Sequence, residues 1–258
     1  MPPSDNVDLR ETEKFSALAA YWWDPKGPMH TLHSVNPLRT GFIAHSCELR
    51  DRSVIDIGCG GGVLAESLTR LGARVTGVDL SQDLLGLARM HARDAALSID
   101  YRYISAEQLA EQEPGAFDIV TCLEVLEHVP RPDELVAASA RLLKPGGHAF
   151  YATIDRTLKA LLFVIFGAEY ILRLLPFGTH TYRGLIRPAE LESWGQKCGL
   201  KYADSVSMVY NLLTRKFSLA AQGERSMKAI GRQVEEQPVM SLLLAFALGF
   251  VGSKLLSR

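Results

Sequence analysis

Two stretches of this chain carry residue types that could do chemistry. The first, Gly58-Cys59-Gly60-Gly61-Gly62, follows the short apolar run Val54-Ile55-Asp56-Ile57 and precedes a helical segment from Val63 to Leu71 that Gly72 stops. A turn without side chains lets a ligand approach the backbone, so larger residues at Gly58 or Gly60 are expected to fill the ligand's space. Asp79 ends the next apolar run, roughly 20 residues on, where a carboxylate suits the ribose hydroxyls of an adenosine cofactor. A dinucleotide fingerprint needs glycine at position 63, but Val63 stands there and the pattern reads GxGxG. That favours S-adenosylmethionine, which has no pyrophosphate to cradle, over NAD.

The second stretch is Leu123-Glu124-Val125-Leu126-Glu127-His128, after a further apolar run. If it is helical, positions i, i+3 and i+4 share a face and Glu124, Glu127 and His128 converge. Two carboxylates and an imidazole could hold a divalent cation with positions open for substrate oxygens. Methyl transfer to a phenol has a use for one, since a phenol with a pKa near ~10 is mostly protonated at neutral pH. His128 could instead take the proton as a general base. The plainer reading is a solvated turn with His128 packed beneath the substrate.

Both stretches need a scaffold that brings them to one edge. Short β-like runs at Val54–Ile57, Arg74–Val78, Ile99–Ile104, Phe117–Thr121 and His148–Thr153 alternate with helical ones at Val63–Leu71, Ser81–Ala96 and Asp133–Leu143. That rhythm predicts βαβ units and a parallel sheet covered on both faces, with ligands at the carboxyl ends of its strands. Upstream, Pro25, Gly27, Pro28 and Pro37 predict a short helix, a loop, and a helix resuming after Pro37. Downstream, a helix from Pro188 toward Gly199 precedes a hairpin of Lys201–Val206 and Met208–Leu213.

The chain has 258 residues, 22% of them charged, with a net charge of −1. This fits one globular α/β domain with appendages and carries no basic excess for a nucleic-acid partner. Cys47, Cys59, Cys122 and Cys198 form no CxxC pair, which implies reduced thiols. The N-terminal residues lack the basic start and apolar run of a secretory signal, so a cytoplasmic protein is expected.

The segments WWDPKGPMHTLHSVNPLRTGFI, VIDIGCGGGVLAESLTRLGARVTGVDLS, DIVTCLEVLEHVPRP, LLKPGG, GAEYILRLLPFGTH and IRPAEL together form a specific pattern. From about Lys14 to about Phe217 the chain resembles the bacterial ubiquinone-biosynthesis 3-O-methyltransferase family. GxGxG marks only the broad superfamily; the WWD, NPLR and GAEYILR segments are more specific. The resemblance implies an α/β fold of the class I S-adenosylmethionine-dependent methyltransferase type, Rossmann-like, with a seven-stranded sheet and an antiparallel last hairpin. It implies that Arg39, Gly58, Asp79 and Leu123 contact the cofactor, and that Glu124, Glu127 and His128 bind Mg2+ or another divalent cation. Its implied substrates are a polyprenylated catechol and demethylubiquinol.

The expected organisation is a methyltransferase domain over 1–220 interrupted by a lipid-facing insertion at 154–187, a polar linker at 221–238 and an apolar tail at 239–258. In the insertion, Leu158, Leu161, Leu162, Ile165, Phe166, Tyr170, Leu174 and Leu175 recur near helical spacing with Arg156, Lys159 and Arg173 at the flanks, as in an interfacial helix. Val239–Leu256 is apolar all round and reads as a membrane helix, though short for a span of ~20 residues. These features predict partners in a membrane lipid surface and other ubiquinone-pathway proteins, at the cytoplasmic side of the inner membrane. Two rivals share the sequence: a methyltransferase for another small phenol, and a non-catalytic lipid-binding or assembly protein on the same fold.

Overall fold

The computed structural model describes residues 6–154, 186–211, 214, 216–221 and 250–257. Helices α1 (Leu9–Ser16) and α2 (His30–Ser46) lead into β1 (Ser53–Ile57), α3 (Val63–Arg70), β2 (Arg74–Asp79), α4 (Gln82–Asp94), β3 (Asp100–Tyr103), α5 (Ala106–Gln112), β4 (Phe117–Leu123), α6 (Pro132–Leu142) and β5 (Leu143–Ile154). Helix α7 (Pro188–Lys197) then precedes β6 (Lys201–Asn211), β7 (Lys216–Ala221) and β8 (Phe250–Ser257). The strand order is β3-β2-β1-β4-β5-β8-β6-β7, parallel from β1 to β5 and antiparallel where β8 meets β5 and β6. Order reverses between β1 and β4, so a crevice opens beyond their carboxyl ends, the usual ligand position in such sheets.

Alternation along the strands separates two cores. Val54, Ile119 and Phe150 face Phe42 and Ile43 of α2, Leu64 and Leu68 of α3 and Leu85 of α4. Their neighbours Ile55, Val120 and Tyr151 face Leu109 of α5, Leu135 and Val136 of α6 and Leu191 of α7 on the other side. A parallel sheet buried on both faces follows, as its nearly continuous apolar strands require. Ser81 caps α4 by accepting from the Leu84 amide, and Ser105 with Gln108 closes a capping box on α5.

Several sequence expectations change. Pro37 lies inside α2 instead of starting it, which leaves one backbone acceptor without its usual donor. Helix α5 was not anticipated. The last hairpin pairs β6 with β7, so Met208 belongs to the first of its strands, and β6 is one long strand where two were expected. Among the described residues the sheet has eight strands, because Phe250–Ser257 inserts between β5 and β6, pairing Phe150 with Leu255 and Tyr202 with Leu256. A membrane helix over Val239–Leu256 is therefore corrected over its last third. An apolar run is compatible with strand or helix, and these residues are taken up by the two sheet edges that flank them. Among the described residues no helix is long and apolar enough to cross a membrane. The predicted interfacial helix between Leu158 and Leu175 lies outside the described residues.

Candidate active site

The glycine loop leaves β1 at the switch point and turns into α3. Gly58, Gly60 and Gly62 take left-handed φ values of 67°, 53° and 87°, which glycine adopts without the steric cost a Cβ brings. The loop is pinned by the amides of Gly58 and Cys59 donating to the Val78 carbonyl, at 2.8 and 3.1 Å. A Cβ at Gly58 would collide with Val125, and one at Gly60 with the Trp22 indole. The expectation that larger residues there would fill ligand space is thus amended: they meet protein first.

Asp79 ends β2 beside this loop. One carboxylate oxygen accepts the Gly60 amide at 2.9 Å and the other the Ser81 amide at 2.8 Å. Burial pushes its pKa up, and these backbone donors pull it back. Each oxygen keeps a second lone pair, so the carboxylate can still accept ribose hydroxyls. Asp79, Gly58, Gly60, Arg39 and Leu123 all line one cleft of about 310 Å³, together with Glu124 and His128. The cleft wall also includes Ser105, Ala106 and Glu107 at the start of α5, and Asn6, Asp8, Glu11 and Phe15 on or beside α1. Sequence reasoning missed both groups; the serine-to-glutamine capping box at 105–108 was the available signal for the first.

Asp56 was also missed. It is buried on β1 next to the glycine loop, accepts from the Thr121 hydroxyl at 2.7 Å and lines the same cleft. Burial, with the nearby Asp79 charge adding to it, raises its pKa from 3.8 to about 7, against the opposing pulls of the Thr121 hydroxyl and Arg39. A folded value above the unfolded one means that the native state holds the extra proton between these limits. Stability is therefore lost as pH rises through that window. Asp56→Asn keeps the oxygen that Thr121 needs and removes the charge. Its unfolding free energy in urea relative to the parent should improve between pH 5 and pH 8, by at most about 3 kcal/mol. A stability difference that does not change with pH would show that Asp56 is ionised throughout.

At the end of β4 the expected helical face does not form. Glu124 adopts a left-handed φ of 57° while its amide donates to the Ala152 carbonyl at 2.8 Å, and only Leu126–His128 make a single 3-10 turn. The two carboxylates stay next to one another, while His128 is engaged elsewhere. Glu124 forms an ion pair with Arg39 of α2. His128 has Nδ1 2.8 Å from Glu11 Oε2 and its ring edge-on to Phe15, with centroids 5.0 Å apart. Glu127 does not line the cleft; its carboxylate oxygens are buried, and burial first, then the Glu124 carboxylate, push its pKa well up. Among the described residues no three His, Cys, Asp or Glu side chains are gathered to hold a metal. The expected shared helical face of Glu124, Glu127 and His128 is corrected, because a 3-10 turn entered through a left-handed residue does not align i, i+3 and i+4.

A glycine cradle and a strand-end carboxylate on this topology suit an adenosine cofactor, and comparison with known proteins narrows the choice. The methyltransferase-domain family matches residues 55–151. A ubiquinone biosynthesis O-methyltransferase of Methylococcus capsulatus is 51% identical over 218 residues, 84% of this chain and 92% of its own. One from Nitrosococcus oceani is 50% identical over 230 residues, 89% and 98% of the two chains. This chain belongs to the ubiquinone biosynthesis O-methyltransferase family. In fold it is similar to the magnesium protoporphyrin IX methyltransferase of Synechocystis, with a TM-score of 0.66 over 97% of both chains at 16% identity. A possible histamine N-methyltransferase of Thermotoga maritima gives 0.60 at 16% identity, over 96% of this chain and 98% of that one. As a family member the chain is an S-adenosylmethionine-dependent methyltransferase.

Proposed function

We propose that the protein methylates a hydroxyl of a polyprenylated catechol and of demethylubiquinol, with S-adenosylmethionine as donor. The observation that carries this reading is that the glycine loop with Asp79 and the Glu11–His128 pair open onto one cleft. The relatives are ubiquinone biosynthesis O-methyltransferases, which supports a catechol or quinol as the methyl acceptor.

The cofactor, when bound, supplies the electrophilic methyl group. The chain's own residues supply the rest. Asp79 accepts from the ribose hydroxyls, and Arg39 and Leu123 form further walls of the cofactor half. His128 takes the phenolic proton: Glu11 accepts from Nδ1–H, which places the basic lone pair on Nε2. Arg39 and Glu124 neutralise one another, so the pair adds no net charge beside the cationic donor. No step is assigned to a divalent cation.

The lipid tail of such a substrate resides in a bilayer, and the apolar 154–187 segment is the part of the sequence suited to meet it at the cytoplasmic face of the inner membrane. We assign the membrane contact to that insertion, with 221–238 as a linker, and not to a tail anchor, since Phe250–Ser257 lies in the sheet. Neighbouring enzymes of the ubiquinone pathway would then be encountered on the same surface.

Purified protein given methyl-labelled S-adenosylmethionine and a short-chain prenyl catechol should place label in the lipid product. Replacing Leu162 and Phe166 by Asp should leave that reaction unchanged and impair use of a long-chain substrate held in vesicles. Cofactor binding without turnover on any catechol would instead favour a binding or assembly role.

A further inference from the structure

The glycine loop is packed against two adjacent indoles, Trp22, which also lines the cleft, and Trp23. Trp22 lies across Gly60 and Gly61, where either Cβ would meet its ring. Trp23 is not part of the cleft wall, yet its Nε1–H donates to the Gly61 carbonyl at 2.9 Å. Behind it the ring stacks on His91 of α4, with centroids 3.4 Å apart and planes at 6°. His91 Nδ1 is 2.6 Å from Oε1 of Glu66, a carboxylate only 3% exposed whose other oxygen accepts from Arg70 at 3.3 Å. Glu66 sits in the first turn of α3, and its amide donates to the Gly62 carbonyl at 2.9 Å. The contacts therefore form a closed circuit: Gly61 to Trp23, Trp23 to His91, His91 to Glu66, and Glu66 back to Gly62.

We propose that Trp23 is a positioning residue for the cofactor, holding the C-terminal end of the Gly60-Gly61 dipeptide in its binding conformation through the Gly61 carbonyl, with His91 and Glu66 as its backing. The physical need is specific. Glycine at 58, 60, 61 and 62 makes the loop free to visit many backbone conformations, so its ordering entropy must be met either by the ligand or beforehand by the protein. The Gly60 amide is fixed by Asp79 inside the cleft. Trp23 fixes the next carbonyl from outside, and neither side chain alone constrains both ends of that dipeptide. A loop ordered in advance lowers the cost of binding and leaves the chemical step untouched. The inference rests on the assignment of this loop to S-adenosylmethionine.

The test is Trp23→Phe, which keeps a ring to stack on His91 and removes the N–H donor. Titration calorimetry with S-adenosylhomocysteine on the full chain should give a Kd about tenfold weaker, the loss of one hydrogen bond between fixed groups. The KM for S-adenosylmethionine should rise by the same factor, with kcat at saturating cofactor and the KM for the catechol both within about twofold of the parent. A merely structural role would behave differently, lowering the active fraction and hence kcat while Kd stayed constant. Unchanged Kd in the variant, with or without a fall in kcat, overturns the proposal. If the parent itself fails to bind S-adenosylhomocysteine, the cofactor assignment falls first. Should Trp23→Phe fail to fold, benzothienylalanine at position 23, isosteric with tryptophan but without the N–H, repeats the measurement with the stack intact.

Discussion

His128→Gln should lower kcat by about 100- to 10 000-fold, the range that a positioned general base supplies, while affinity for S-adenosylhomocysteine stays as in the parent. The nucleophile is a phenolate, and a phenol of pKa ~10 is ionised to only about one part in a thousand at pH 7. Without the imidazole the variant depends on that fraction alone. Its rate should therefore rise about tenfold per pH unit between pH 7 and pH 9, whereas the parent's should depend on pH far less steeply over that range. Glu11→Gln should have a smaller effect in the same direction, since the amide can still hold Nδ1–H through its oxygen but no longer carries the charge that stabilises imidazolium. Steady-state rates of the three proteins across this pH range, at saturating cofactor, are the measurement. Parent-like kcat in His128→Gln, or a depressed rate with no pH slope, would remove the imidazole from proton transfer.

The parts of this site that were legible in the sequence are those fixed by local rules. Val54–Ile57 is apolar because both faces of β1 are covered, and glycines follow because the chain must turn with positive φ into α3. Asp79 follows at the end of the adjacent strand because one βαβ unit has a set length. Each of these is a short-range constraint, and each is visible in residue types. Glu124, Glu127 and His128 were read as one face because helical spacing permits it. What decides their directions is instead tertiary: the Glu124 amide continues the ladder of β4 to the Ala152 carbonyl, and the chain leaves the sheet at that residue with a left-handed φ. Such a backbone state costs about 1–3 kcal/mol in a residue with a Cβ. Strain of that kind is maintained by its surroundings, here the Arg39 guanidinium on the Glu124 carboxylate, and no residue pattern announces it.

The remaining misses have the same origin. Trp22 and Trp23 stood out as a specific pair, but nothing in their neighbours' identities told that one would lie on Gly60 and the other would reach Gly61. Asp56 reads as an interruption of an apolar strand, and its importance emerges only when β1 pairs in register with β2 and β4, setting Asp56 opposite Gly77 and Thr121. Glu11 is an ordinary surface residue of α1 until α1 folds over the cleft and brings it to His128, 117 positions along the chain. The sequence carries the strands and the cofactor loop; the second wall of the cleft is tertiary.

Asp79→Ala should weaken cofactor binding by about 100-fold or more, because the carboxylate serves two structures at once. It is the acceptor for the ribose hydroxyls, and charge-assisted hydrogen bonds are each worth about 1.5–3 kcal/mol, so losing two of them accounts for at least two powers of ten. It also holds the Gly60 and Ser81 amides at 2.9 and 2.8 Å, and truncation leaves these donors without their partner, loosening the loop from the cleft side. Asp79→Asn separates the two contributions. The asparagine oxygen can replace one carboxylate oxygen, but its NH2 faces either a backbone N–H or a hydroxyl that no longer finds an anion. Affinity should fall between those of the parent and Asp79→Ala. The charge has a pH signature too: burial raises the Asp79 pKa, so the carboxylate protonates at a less acidic pH than an exposed aspartate, and affinity in the parent should decline as pH falls toward it. Calorimetric titration of S-adenosylhomocysteine into the three proteins checks all of this, with circular dichroism confirming that each is folded. Equal affinity in Asp79→Ala and the parent would place the ribose elsewhere in the cleft.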